Sequence, residues 1–370
     1  MVMFTRLLPI SLFGLLVLVA LPSAAQTNQI PATQNEQMND PQPLSRADRS
    51  MEPRVVARGR SVIIRPGLRS IYVTDSGEPR VVAETRREFI LERTFNSMAI
   101  RPLTQQSQVI LPARDVIPDG RAGKGSNTIA EAWLIQPTSR YPHGALGDVI
   151  EAGAMRVTMK DGRVAAFRLG DGSVFEGLQP TIGDVDGDGA DEILVVNSNA
   201  QRGSRLQIYK PTEVGSGVVR LQKIGEGLGT GWKNQWLNPV GVGDFNDDGY
   251  PEIAVVHLPH KDGLLSVHQF RNGRFEELDR MEGFSNHAFG SPQTAMQLIR
   301  DITGDNRADL IIPSLDRRSL RVMTMNGAEL IEVGQLNLPS PVKTDIFWID
   351  DALTLGLEDN SVLSLSVFIQ

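Results

Sequence analysis

One stretch of the chain is Gly183-Asp-Val-Asp-Gly-Asp-Gly-Ala-Asp-Glu-Ile-Leu-Val-Val196. Residues 243–256 and 300–313 align with it without gaps. Counting the first aspartate of each copy as position 1, side chains that bear oxygen recur at positions 1, 3, 5 and 9. They are Asp184, Asp186, Asp188 and Glu192 in the first loop, Asp244, Asn246, Asp248 and Glu252 in the second, and Asp301, Thr303, Asp305 and Asp309 in the third. A shared register of this kind indicates an internal structural repeat.

The spacing of these oxygens suits a hard cation. Calcium takes about six to eight oxygen ligands, and a tightly wound loop can turn alternate side chains toward one centre. Position 6 must turn sharply, with a positive φ that glycine and asparagine tolerate, and the residues there are Gly189, Gly249 and Asn306. The backbone carbonyl at position 7 would add a ligand from Ala190, Tyr250 or Arg307. The sequence therefore predicts a calcium site in each loop.

The charge distribution supports this prediction. The chain has 370 residues and a net charge of -7, which excludes generic nucleic-acid binding. Residues 128–370 hold 21 basic and 33 acidic side chains, a deficit of twelve, and the three loops together contain twelve acidic residues. Carboxylates packed this closely without a cation would raise one another's pKa. The alternative interpretation is a set of acidic surface turns, in which Asp-Gly is common.

The residues that follow each loop distinguish two kinds of calcium site. An EF-hand needs a bidentate glutamate at position 12 and a helix on each side, whereas position 12 here is Val195, Val255 or Ile312. A near-continuous apolar run follows each loop instead, which predicts a strand buried on both faces. Helical calcium sites are therefore excluded.

The loops recur at intervals of 60 and 57 residues, and each interval contains several short strands. After the first loop the predicted strands are 192–197, 205–209, 218–224 and 239–243. Four strands per repeat without a helical signal predict an all-β fold, a β-propeller built from four-stranded blades.

The pattern resembles the FG-GAP/VCBS repeats, which build propellers such as the head of integrin α chains. The resemblance covers roughly residues 128–370 and includes a Gly-Trp segment, Gly231-Trp232, ahead of the second loop. It implies that the side chains at positions 1, 3, 5 and 9 bind calcium within each blade, about three ions in all. Thr303 and Asn306 depart from the pattern, so we expect the third site to be the weakest.

Two flanking segments resemble the same unit without its metal loop, namely 146–152, followed by a strand at 155–159, and 348–353, followed by strands at 353–357 and 361–368. The segment 55–127 contains further short β-type runs that would supply early blades, namely 61–64, 70–74 and 108–111. Together they favour a propeller of six or seven blades.

The amino terminus carries the pattern of a secretory signal peptide. Residues 1–25 combine Arg6, an apolar run over 7–21 and the small trio Ser23-Ala24-Ala25. We expect cleavage after Ala25 and export to the periplasm or the medium, with an uncleaved membrane anchor as the alternative. No later segment is apolar enough to span a membrane. Residues 26–54 are polar, which predicts a flexible tether, and the absence of cysteine excludes disulfides and thiolate metal sites.

Two aromatic residues beside the second loop are candidates for partner binding. Trp232 and Trp236 would form a platform for a sugar ring or a partner's side chain, and packing between blades is the alternative. The five histidines match no zinc pattern and are expected to pack in loops or strands.

These observations predict an exported calcium-binding β-propeller that serves as a protein- or glycan-binding interaction module, with no catalysis of its own. Two alternatives remain open. One is an extracellular polysaccharide lyase or hydrolase built on the propeller, and the other is a structural or adhesive component of the cell surface.

Overall fold

Antiparallel β-strands form the regular secondary structure of residues 55–94, 97–103 and 114–369, which the computed structural model describes. Those three ranges contain no α-helix, and so no helix with the length and hydropathy needed to cross a membrane. The predicted signal peptide, all of the predicted tether and the predicted strand at 108–111 lie outside the described residues.

The strands, in chain order, are β1 (Val55–Ile63), β2 (Leu68–Val73), β3 (Pro79–Ala83), β4 (Glu88–Arg93), β5 (Met98–Pro102), β6 (Gly123–Lys124), β7 (Ile129–Thr138), β8 (Glu151–Met159), β9 (Val164–Arg168), β10 (Val174–Phe175), β11 (Thr181–Gly183), β12 (Glu192–Asn199), β13 (Gly203–Glu213), β14 (Val219–Gly229), β15 (Leu237–Gly243), β16 (Glu252–His257), β17 (Leu264–Arg271), β18 (Arg274–Met281), β19 (Leu298–Arg300), β20 (Asp309–Pro313), β21 (Ser319–Asn326), β22 (Glu329–Asn337), β23 (Phe347–Ile349), β24 (Ala352–Gly356) and β25 (Ser361–Ile369).

Within the described ranges, the antiparallel pairing forms four four-stranded sheets and one nine-stranded sheet, and division of the larger sheet at β10 gives six four-stranded units in all. Five units are consecutive in the chain: β2–β5, β6–β9, β11–β14, β15–β18 and β19–β22. The sixth unit joins β23, β24 and β25 to β1, and the short strand β10 pairs with both β8 and β12. The prediction of an all-β fold built from repeated four-stranded sheets is therefore confirmed.

The second strands of the last four units are buried on both faces, as their apolar runs predict, whereas β3 and β7 are partly exposed. Every residue of β12, β20 and β24 is buried, and in β16 only the last residue, His257, is partly exposed. The fourth strands are far more exposed, and in β22 only Leu330 and Leu336 are buried. In these sheets a buried second strand is thus followed, two strands further along, by a solvent-exposed fourth strand.

The hydrophobic core consists of layers between neighbouring units. One layer joins Val256 and Val267 of the β15–β18 unit to Ile312 and Met323 of the next unit. Fourth strands also contact one another from unit to unit, β14 with β18, β18 with β22, and β22 with β1. The apolar faces of the sheets are therefore covered by the adjacent sheets.

The first described strand completes the last unit. β1 pairs with β25 along its whole length, from Val55 opposite Ile369 to Ile63 opposite Ser361. The strand pair predicted after residues 348–353 corresponds to β24 and β25, and this prediction is confirmed.

One prediction about the repeat boundaries is wrong. Residues 146–152 do not open a unit, because residues 146–150 lie in the connection between β7 and β8 and residues 151–152 begin β8, the third strand of its unit. The turn equivalent to the metal loops is the one between β6 and β7, where Gly125-Ser-Asn-Thr128 contains no carboxylate.

Candidate metal centre

The three loops adopt the same hydrogen-bonded turn. In each, the position-1 aspartate accepts a hydrogen bond from the N–H of position 6, over 2.8 Å at Asp184 and 2.9 Å at both Asp244 and Asp301. The position-9 carboxylate accepts the N–H of position 2, over 3.0 Å in the first loop and 2.7 Å in the other two. Carboxylates here take the place of backbone acceptors, which explains why acidic residues recur at these positions.

The backbone conformation at position 6 agrees with the sequence. Gly189 has a φ of 85°, Gly249 82° and Asn306 67°, so all three lie in the left-handed region that glycine and asparagine tolerate. Position 4 has the same conformation, which the sequence analysis did not anticipate, with Gly187 at 76° and Asp247 at 59°. Two left-handed residues wind each loop tightly enough to turn positions 1, 3 and 5 inward.

The position-9 carboxylate is fully buried in every loop. Glu192, Glu252 and Asp309 each have an exposed fraction of 0%. Burial disfavours the charged form and raises the pKa of all three above its ordinary value. A cation at the loop would act in the opposite direction and favour ionisation.

In the first loop, a lysine from the neighbouring strand reaches the acidic residues. The Nζ of Lys210, on β13, lies 2.7 Å from Asp186, 2.6 Å from Asp188 and 2.9 Å from the buried Glu192. Burial works to lower the pKa of Lys210, but its hydrogen bonds to the three carboxylates outweigh burial and raise it. The ammonium therefore neutralises part of this loop.

In the second loop, an amide occupies the equivalent place. Gln269 Nε2 donates to Asp248 over 3.0 Å and to Glu252 over 2.7 Å. The guanidinium of Arg271 lies 3.5 Å from Asp248 and stacks over the Tyr250 ring, 4.0 Å from its centroid. The second loop thus has acidic residues at positions 1, 5 and 9 like the first, but Asn246 in place of Asp186 and no ammonium bound among its carboxylates.

The third loop pairs its acidic residues differently. The Arg307 guanidinium lies 2.5 Å from Asp305 and also donates to the Met325 carbonyl. Asp309 accepts the N–H groups of Ile302 and Thr303 over 2.7 and 2.9 Å. Its side chains are therefore largely satisfied within the loop.

A hard cation fits the second loop best. Asp244, Asp248 and Glu252 each offer an oxygen, and these atoms lie within 4.8 Å of one another. The first loop brings Asp184, Asp186 and Asp188 equally close, and the part of the chain that the structure describes contains no third group of this kind. Calcium prefers donor sets made only of oxygen, and Asn246 adds an amide oxygen to the second loop.

One acidic residue of the first loop has a structural function that the sequence analysis missed. A single carboxylate oxygen of Asp191 accepts the N–H groups of Asn127, Thr128 and Ile129 over 2.8, 2.7 and 2.9 Å. Asp191 is only 1% exposed, and it closes the β6–β7 turn of the preceding unit. The equivalent residues of the other loops are Pro251 and Ala308, so the repeat pattern gave no signal for it.

The two candidate tryptophans are in different environments. Trp232 is 74% exposed, whereas Trp236 is 2% exposed and donates its indole N–H to the Glu176 carbonyl over 3.1 Å. Trp236 therefore presents no ring to a partner, and the expectation of a platform is wrong for this residue. Its alternative, packing inside the fold, is correct.

Trp236 belongs to an aromatic cluster that sequence reasoning did not find. Its indole stacks on His260 and meets the edge of His287, with ring centroids 6.0 and 4.9 Å apart. The cluster comprises Tyr141, His143, Trp236, His260, His287 and Phe289. His260 Nε2 and His287 Nδ1 share a hydrogen bond of 2.6 Å. Burial lowers the pKa of His260 to about 4 and that of His287 to about 3, so both rings are neutral near pH 7.

Two buried glutamates lie close to this cluster. Glu176 is 0% exposed and pairs with His143 Nδ1, while its other oxygen accepts Ser198 Oγ. Glu151 is also 0% exposed, and burial together with the nearby Glu176 and Asp148 raises its pKa to about 10. Glu151 is therefore a neutral carboxylic acid near pH 7.

Comparison with known proteins gives one family match. Residues 184–255 match the family model of the FG-GAP-like repeat, which begins at the first aspartate of the first loop and runs through the second loop into β16. The chain therefore contains an FG-GAP-like repeat, and the resemblance predicted from the loops is confirmed over that segment. No curated protein matches the chain.

Two solved structures are similar to the chain at low sequence identity. Virginiamycin B lyase from Staphylococcus aureus is 13% identical, with a TM-score of 0.40 over 84% of this chain and 99% of the lyase. The WD40 domain of coronin from Toxoplasma gondii is 12% identical, with a TM-score of 0.42 over 82% of this chain and 70% of that one.

Proposed function

We propose that this protein is an exported, calcium-binding β-propeller that serves as an interaction module for a protein or a glycan. The observation that carries the calcium proposal is the second loop, where Asp244, Asp248 and Glu252 place oxygens within 4.8 Å of one another around a tightly wound turn. A bound ion would offset the mutual repulsion of these carboxylates.

The propeller arrangement is supported by contacts around the first strands of the units. Arg121 lies just before β6, and its guanidinium binds the Asp345 carboxylate before β23 and the Thr294 hydroxyl before β19. These residues belong to three units that are far apart in the chain. Their meeting is what a ring requires, because the first strands of all blades converge on one axis. Six units would give six blades.

Export rests on the amino-terminal pattern alone. Residues 1–25 have the charged start, apolar centre and small-residue end of a signal peptide, and a chain without cysteine needs no disulfide in an oxidising compartment.

The surface best suited to a partner lies at the end of the strands opposite the metal loops. Antiparallel strands alternate in direction, so the connections after β14 and β18 leave the end remote from the loop after β11. Those connections carry Trp232, which is 74% exposed, and Phe289, which is 63% exposed. Exposed aromatic rings are favoured anchors for sugar rings and for protein partners.

A calcium titration tests the metal part of this proposal. The full-length protein is stripped with a chelator and titrated with calcium by calorimetry, with native mass spectrometry to count bound ions. We expect at least one ion per chain and a higher melting temperature with calcium than with chelator. A folded protein that binds no calcium in either measurement would contradict the proposal.

A binding screen tests the interaction part. The calcium-loaded protein is applied to arrays of glycans and to solubilised envelope proteins, beside the variants Trp232→Ala and Tyr250→Ala. We expect the first variant to weaken binding at least about tenfold, whereas Tyr250→Ala, at the metal-loop end, leaves it unchanged. An equal loss of binding in both variants would contradict the proposal that the partner binds at the end of the strands that carries Trp232.

One observation favours a polysaccharide lyase or hydrolase as a second candidate function. His143 is held by the buried Glu176 through Nδ1, which fixes its tautomer, and it lies beside Tyr141 with ring centroids 6.2 Å apart. A histidine oriented by a carboxylate can act as a general base in a lyase or hydrolase. Depolymerisation of a polysaccharide that His143→Asn abolishes, with the fold intact, would favour this function over the interaction module.

A further inference from the structure

We propose that the first loop carries its own cation, the Lys210 ammonium, and that of the first two loops only the second binds calcium tightly. This inference rests on the calcium-binding function proposed above and assigns that function between two loops whose acidic patterns share positions 1, 5 and 9 and differ at position 3, Asp186 against Asn246.

The strand register identifies the residue that distinguishes the two loops. Glu252 pairs with Gln269 across β16 and β17. Ile193 pairs with Tyr209 across β12 and β13, which sets Glu192 opposite Lys210. The same structural position is therefore a lysine in the first repeat and a glutamine in the second.

Both side chains contact the same two positions of their loops. Gln269 donates to position 5, Asp248, and to position 9, Glu252. Lys210 contacts position 5, Asp188, and position 9, Glu192, and in addition position 3. The loops therefore differ in two ways: the first has Asp186 where the second has Asn246, and only the first has an ammonium bound among its carboxylates.

That charge competes with a metal for the same oxygens. A calcium ion bound through positions 3, 5 and 9 of the first loop needs the atoms that the ammonium already holds within 2.9 Å. The Lys210 side chain is only 22% exposed, so it must leave a largely buried position before the ion can enter. A neutral amide imposes no such repulsion, and Gln269 can remain beside a bound ion.

The nearest cation of the second loop does not occupy the equivalent place. The closest approach of Arg271 to an acidic residue of that loop is 3.5 Å, to Asp248, and its side chain is 42% exposed. Its guanidinium is instead stacked on the Tyr250 ring. The buried Glu252 accepts hydrogen bonds from the Phe245 N–H and from Gln269 Nε2, and both of these donors are neutral.

Exchange of the two side chains tests this assignment. We compare the full-length protein with Lys210→Gln, Gln269→Lys and the charge control Lys223→Gln, a lysine of β14 that contacts Glu226 outside the loops. Calcium is titrated by calorimetry and bound ions are counted by native mass spectrometry, with circular dichroism to establish that each variant is folded.

The expected result is one tightly bound ion in the unchanged protein and in Lys223→Gln, and two in Lys210→Gln. Gln269→Lys should weaken the tight site by roughly 100-fold, because it places an ammonium among the ligands. Two equally tight ions in the unchanged protein, with no gain in Lys210→Gln, would overturn the inference while leaving the calcium function intact. Absence of calcium from every folded variant would overturn both.

Discussion

The two ends of the strands are built on different principles. At the metal-loop end, each loop closes on itself through hydrogen bonds between residues at most seven positions apart, as from Gly189 to Asp184 and from Val185 to Glu192. At the opposite end, the aromatic cluster joins rings from separate connections, among them His143, Trp236 and His287. The first end depends on local geometry, and the second on packing.

The largest expected effect comes from removing the centre of the aromatic cluster. Trp236→Ala deletes a ring that is 2% exposed and contacts two histidines, which should lower the free energy of unfolding by about 3–5 kcal/mol. Urea denaturation followed by circular dichroism measures it. The control is Phe289→Ala at the exposed edge of the cluster, and an equal loss there would show that burial of the rings is not the cause.

Calcium should produce the next largest effect, at the other end. At a free concentration of about 100 times Kd, an ion that binds only the folded state adds about 2.7 kcal/mol to the free energy of unfolding. The shift in melting temperature between calcium and chelator should disappear in Asp244→Ala and persist in Asp301→Ala, whose loop forms no close group of acidic ligands. Loss of the shift in Asp301→Ala would reverse this order of the two sites.

Acid should weaken the aromatic cluster. The folded-state pKa of His287, about 3, lies below the ordinary 6.5, so the unfolded chain binds the extra proton first and stability is lost as pH falls from 6.5. At pH 5 the loss from this ring is about 2 kcal/mol. His260, His143 and Arg317 face it, and their charges act in the same direction as burial.

Comparison with His287→Asn isolates that contribution, because carboxylates common to both proteins cancel in the difference. The unchanged protein should lose about 2 kcal/mol more than the variant between pH 7 and pH 5, by urea denaturation at each pH. Parallel pH profiles would exclude His287 as the acid-sensitive group.

The smallest effects are expected from single exposed rings at each end. Trp232→Ala should change the free energy of unfolding by no more than about 0.5 kcal/mol. Tyr250→Ala should cost slightly more, about 0.5–1 kcal/mol, because Arg271 stacks on its ring. A loss above about 2 kcal/mol from Trp232→Ala, measured by thermal melting, would assign that ring to the core.

The same contrast explains what the sequence could predict. The metal loops were recognisable because each is a short self-contained turn, and the buried strands after them, such as β12, were recognisable from their apolar runs. The aromatic cluster was not, because His143 and His287 are brought together only by packing. The contact of Lys210 with the first loop could not be predicted for a related reason, because only the pairing of β12 with β13 brings this lysine beside the loop.

Pairing of β1 with β25 has a consequence for biosynthesis. The ribosome makes Val55–Ile63 well before its partner Ser361–Ile369, so the edge of β1 stays unpaired until that partner has been made. Exposed strand edges invite pairing with other molecules. Deletion of Ser361–Ile369 would therefore leave one edge of β1 and one edge of β24 unpaired. We expect it to promote association between copies of the chain during synthesis.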